Sequence, residues 1–233
     1  MDARSKRPDR SLLRLAGALW LLAGIVYLAS EAIAAAAFPG YSYAYNYISD
    51  LGVPYDGLID GRASHSPLAS LMNIGGFILD GVLSAAAAIT AIIALDARQR
   101  ADMAFLLLWI VHALGSILVG TIHSGAREVA AGIGHFHVIG AAMAIIGGNA
   151  ALIAAASLAR RFGAGSGYPL ASLGLGCLGL LSLTLLEASR ASGMALVPDG
   201  VSERASVYAI TTWKILTGLT LLFAGRRKEA DMN

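Results

Sequence analysis

Charge is scarce in this chain, and cysteine scarcer. Of 233 residues only 14% are Asp, Glu, Lys or Arg, against about 25% in soluble domains. With 57% hydrophobic residues and a mean hydropathy of +0.67, the apolar surplus must face something other than water. That excludes an ordinary soluble domain and points to a helical bundle in a bilayer. The formal charge is only +2, and the basic residues sit at the ends of apolar runs. A nucleic-acid partner, which needs a clustered basic face, is therefore not expected. The single cysteine, Cys177, rules out an intrachain disulfide. Its place inside an apolar run predicts a small buried residue. Neither HExxH nor CxxC spacing occurs.

What the chain does have is apolar length. A basic head, residues 1–14, leads into a first run at about 15–38. Five more follow, at about 68–95, 103–122, 133–158, 170–188 and 205–224. Each comes near the ~20 residues that span the hydrocarbon. Backbone groups in lipid must be satisfied internally, so these are expected as helices. The first run exceeds the ~7–15 residues of a signal-peptide core and contains Glu31, which predicts a retained helix. The expected fold is all-α, a six-helix transmembrane domain over 15–225, with a loop at 39–67 and a tail at 226–233. Pro67 and Pro169 each open a helix, where a missing N–H is harmless. Small residues at Gly140, Ala144 and Gly148, and at Gly174, Gly176 and Gly179, are read as helix-packing positions.

Twelve basic residues fall in the head, the second and fourth connections and the tail; only Arg62, Arg127, Arg190 and Arg204 fall on the other side. The positive-inside rule then places both termini in the cytoplasm and the 39–67 loop outside. A multi-pass protein of the cell membrane is expected.

Ionisable groups within spans are costly and become site candidates. At ~1.5 Å of rise per residue, Asp80, His112 and Lys214 reach one layer near the midplane. Asp80 and Lys214 are the expected charge pair, with His112 a neutral hydrogen-bonding neighbour. Glu31, His123, Glu187 and Glu203, with His135 and His137, form a second layer nearer the loop side. His112, Ser116 and His123 share a helical face, as do Asn73 with Asp80 and Glu203 with Lys214. These stripes predict a polar cleft, with Asn46, Ser49 and Asp50 of the loop above it as a lid. Ser49 and Asp50 suit a capped turn and Gly52 a positive φ. Tyr41, Tyr43, Tyr45 and Tyr47 suit an interfacial belt.

The histidines also permit metal. His123 and His137 could meet, with Glu187, Glu128 or Asp50 supplying oxygen to a zinc ion. The same histidine pair could hold a haem between the third and fourth helices.

Asn46-Tyr47-Ile48-Ser49-Asp50-Leu51-Gly52 follows the first helix directly. Ser66-Pro67 then opens a helix with Asn73, Ile78 and Gly81, and Gly120-Thr121-Ile122-His123 comes before His135 and His137. Together these resemble the domain of unknown function 998 family, six-helix integral membrane proteins without an established role. Ile48-Ser49-Asp50 is more faintly similar to the Frag1/DRAM/Sfk1 group, which includes members tied to lipid handling. Three functions remain open. One is a non-enzymatic protein holding a lipid or small amphiphile in the cleft. Another is a metal-dependent hydrolase or lipid-modifying enzyme, and the third a proton-coupled carrier using Asp80, His112 and Lys214.

Overall fold

The computed structural model describes residues 8–59, 62–63, 65–96, 99–194 and 196–224, the side chains of 58–63 excepted. Six helices long and apolar enough to cross a membrane account for nearly all of it: α1 Arg10–Ala37, α2 Ala69–Ala94, α3 Arg100–Thr121, α4 Gly134–Phe162, α5 Tyr168–Ser192 and α6 Asp199–Phe223. The expected all-α fold with six spans is what the structure has. A two-residue hairpin, β1 Leu58–Ile59 with β2 Arg62–Ala63, and a 3-10 turn at Ile48–Gly52 decorate the loop after α1.

Each helix packs on its sequence neighbours, and α6 returns to α1, so the six close into a ring, with α4 also reaching α6 across it. Glycine sets the closest approaches, as expected where lipid provides no hydrophobic drive between helices. A Cβ at Gly115 would lie 2.5 Å from the Gly140 carbonyl, and one at Gly17 would lie 2.9 Å from the Gly218 carbonyl. Gly176 meets Asn149 and Ile153 of α4, whereas Gly174 touches nothing and has no packing role. Cys177 is exposed, not buried as expected. In a bilayer an apolar run satisfies its environment by facing lipid, and much of α5 does so.

The two ends of the ring are filled differently. At the terminal end, where α1 begins and α6 finishes, Trp20, Phe105, Trp109, Phe162, Tyr168 and Trp213 are all buried. Their rings meet at 5.3–6.4 Å between centroids, mostly edge to face. Connections are tied there by polar bonds. Asp9 caps α1 through the amides of Ser11 and Leu12, and Arg161 donates to Asp102 at 2.7 Å and to the Leu95 carbonyl. Arg4, Lys6, Arg7, Arg98, Arg226, Arg227 and Lys228 lie outside the described residues.

Near its start α2 holds π-helical geometry over Met72–Leu79, directly before Asp80. Wide turns of this kind cluster at functional sites. The sixth helix begins at Asp199, earlier than the expected 205, which brings Glu203 and Arg204 into its first turns.

Candidate functional site

Three ionisable side chains meet at the middle of the bundle. Lys214 Nζ donates to Asp80 Oδ1 at 2.8 Å, to Asp80 Oδ2 at 2.6 Å and to His112 Nε2 at 3.1 Å. All three groups are buried. The other ring nitrogen, His112 Nδ1, lies 2.7 Å from the Ala144 carbonyl. Since a carbonyl only accepts, Nδ1 bears the hydrogen and Nε2 accepts a hydrogen bond from the ammonium. The network is closed: three ammonium hydrogens have three acceptors, and the imidazole is neutral. Trp109 borders it, edge-on to His112 at 5.2 Å.

Above this layer is a chamber of about 80 Å³. Asp80, His112 and Lys214 line its floor; Tyr27, Phe77, Ser116 and Thr211 are among its walls. Ser49, His137, Ala141, Ile145 and Glu203 line this chamber and also a second cavity of about 380 Å³. The two spaces therefore adjoin. The larger one is a groove between α4 and α5, edged by Val138, Ala142 and Ile146 on one helix and Leu183, Leu186 and Glu187 on the other. Val138 and Ile146 are exposed, so the groove opens sideways, on the surface that faces lipid.

The loop after α1 roofs the chamber, and the first turns of α6 hold it down. Tyr47 donates its hydroxyl to Asp199 at 2.8 Å, and the Ile48 amide donates to Glu203 at 2.6 Å. Arg204 donates to the carbonyls of Tyr43 and Asn46 at 2.7 and 2.8 Å, to Glu31 at 3.1 Å, and to the Tyr41 hydroxyl. Glu31 also accepts from Tyr208. Asp50 accepts from the Tyr47 amide and the Asn46 side chain, so it caps the turn as expected. Burial, with Asp199 beside it, pushes the Tyr47 hydroxyl above its ordinary value; burial, with Glu203, Glu31 and Asp50 nearby, raises Tyr41 despite Arg204. Gly52 does not have the expected positive φ. It is glycine because a Cβ would run into Asn73, whose side-chain amide donates to the Gly52 carbonyl at 2.8 Å.

Of the expected cleft residues, Asp80, His112, Glu203 and Lys214 line the chamber, and Ser49 and Asp50 line one or both cavities. Asn46 and Asn73 do not line them; both bind the loop. The candidate metal ligands have partners of their own. His123 Nδ1 is 3.0 Å from Glu128, His137 Nδ1 donates to the Ile122 carbonyl at 2.6 Å, and Glu187 pairs with Arg190 at 3.4 Å. Among the described residues no three His, Cys, Asp or Glu side chains are grouped to hold a metal ion. Burial holds the His123 imidazole below its ordinary value. Tyr55 is hydrogen-bonded to Glu128, joining the loop to the α3–α4 connection.

Arg204 was the residue that sequence reasoning missed, having been counted only as a loop-side charge. The signal was present in Glu31, a carboxylate within a span that needed a cation.

No curated protein and no solved structure matches the chain. The fainter likeness to the Frag1/DRAM/Sfk1 group finds no support in these comparisons. The family model described as "Protein of unknown function (DUF998)" matches residues 21–220, nearly the whole six-helix bundle, and the chain belongs to that family.

Proposed function

We propose that this membrane protein binds a lipid or small amphiphile, taking the polar head into the chamber and leaving the apolar chain in the groove between α4 and α5. The observation that supports this most is that the two spaces adjoin, sharing Ser49, His137, Ala141, Ile145 and Glu203 in their linings. A mainly apolar chamber with ionisable groups on its floor, beside a groove in the side of a bundle, suits a ligand that arrives from the bilayer. We place the loop end outside the cell and both termini in the cytoplasm, on the strength of the basic-residue bias. The flanking head, 1–14, and tail, 226–233, belong to that cytoplasmic side.

The test is mass spectrometry of material co-purified in mild detergent. The expected result is an amphiphile at near-stoichiometric level that is lost from Ala141→Phe, which fills the junction of the two spaces. Equal amounts in both proteins, or none in either, would contradict the reading.

A further inference from the structure

The chamber holds an imbalance between cations and carboxylates. Two cations, Lys214 and Arg190, line the adjoining spaces against the carboxylates Asp80, Glu187 and Glu203. Both cations are already committed. Lys214 has its three hydrogens on Asp80 and His112, and Arg190 pairs with Glu187. Arg204, next in sequence to Glu203, spends its guanidinium on Glu31, Tyr41 and the loop carbonyls. Glu203 accepts the Ile48 amide on Oε2, and among the described residues no cation pairs with it.

The wall shared by chamber and groove offers acceptors. His137 gives its Nδ1 hydrogen to the Ile122 carbonyl, so Nε2 keeps its lone pair. Glu203 and Ser49 line the same two spaces. Three acceptors and an unmatched carboxylate suit a head that has one positive charge and several N–H donors. An anionic head would find no uncommitted cation beside Glu203 among the described residues.

We propose that this site selects an amphiphile with a protonated primary amine head and rejects one with a carboxylate or phosphate head. The ammonium donates to Glu203, His137 and Ser49, and its charge supplies the counter-ion that Glu203 lacks. The chain lies along Val138, Ala142 and Ile146 toward lipid. This rests on the amphiphile reading above and adds the sign and donor character of the head.

The test uses the full-length protein in a non-ionic maltoside detergent at pH 7, titrated with dodecylamine, dodecanoate, dodecyl phosphate and dodecyltrimethylammonium. Binding is read from the fluorescence of the three tryptophans, Trp20, Trp109 and Trp213, and checked by thermal shift. Dodecylamine should bind saturably and at least tenfold more tightly than the two anions. The trimethylammonium probe, which has no N–H, should fall between them. Glu203→Gln, which can still accept the Ile48 amide, should bring amine and anion within about threefold of each other. Ala141→Phe should abolish the saturable signal, marking it as coming from this cavity and not from the micelle. Should Glu203→Gln fail to fold, the preference of the native protein and its loss in Ala141→Phe decide alone. An anion binding as tightly as the amine, with Ala141→Phe still blocking both, overturns the head-group inference and leaves the amphiphile reading standing. No saturable binding by any probe overturns both.

Discussion

The same six helices build two unlike halves. At the terminal end the interior is closed by interlocked aromatic rings and small residues of α2 such as Ala87, Ala88 and Ala91. At the loop end the interior is partly empty; hydrogen bonds donated by Arg204 and Asn73 and accepted by Glu203 and Asp199 hold a loop over the space. The Asp80–Lys214–His112 layer lies where the two meet, with Trp109 on one side and the chamber on the other. Close packing makes the terminal half rigid. The loop half trades packing for directional polar contacts, which can be broken and remade one at a time.

Breaking the boundary should have the largest effect. Lys214→Met leaves Asp80 buried without a cation and should cost about 4 kcal/mol of stability, read by thermal unfolding in detergent. Adding Asp80→Leu should recover part of that loss. A strictly additive double variant would mean that the two charges are not coupled.

A smaller effect is expected on the loop side. Arg204→Gln strands Glu31 and frees the loop, at a cost of about 3 kcal/mol. A cysteine at Ser42 should then react faster with an impermeant reagent in intact cells, while one at Ser11, beside the α1 cap, should stay protected. Labelling at position 42 only after lysis would reverse the proposed topology. Ser64, another candidate position for such a probe, lies outside the described residues.

The next pair matches the two halves at equal cost. Tyr47→Phe removes the bond to Asp199, and Ile92→Val removes one methylene from the terminal core. Each should cost about 1 kcal/mol. Only the tyrosine variant should speed amide exchange over Tyr47–Gly52; equal effects would erase the distinction between the halves.

The smallest effect concerns pH. Burial keeps the His123 imidazole below its ordinary 6.5, so the unfolded chain binds more protons there. Stability from this group is complete above that value and is lost as pH falls through and below it. His123→Gln should flatten the melting-temperature slope between about pH 5 and 7. An unchanged slope would assign it to other groups.

The architecture was legible because lipid leaves so few choices. Runs of about 20 apolar residues must be helices, and the six found match the six expected. The midplane triad was legible for the same reason, since buried charges need partners and helical rise fixes their depth. Polar residues near the ends were harder to read. Asp199, Ser202, Glu203 and Arg204 look like loop in a hydropathy profile, yet they form helix because the facing loop takes up their charges. Arg204 meets Glu31 across 173 residues, a pairing no local pattern announces. Asn73 follows the stripe of Asp80 but sits in the π-helical segment and turns to the Gly52 carbonyl instead. His123 and His137, read as a metal pair, each have an oxygen partner of their own in Glu128 and the Ile122 carbonyl.

The central claim is that the loop half takes a ligand from the bilayer through the gap between α4 and α5. Photolabelling with an alkyl amphiphile bearing a diazirine in its chain, followed by peptide mapping, tests it most directly. Adducts concentrated on Val138, Ala142, Ile146 and Leu183, and competed away by unlabelled amphiphile, are the predicted result. Adducts spread evenly over the lipid-facing residues of all six helices, with no competition, would contradict it.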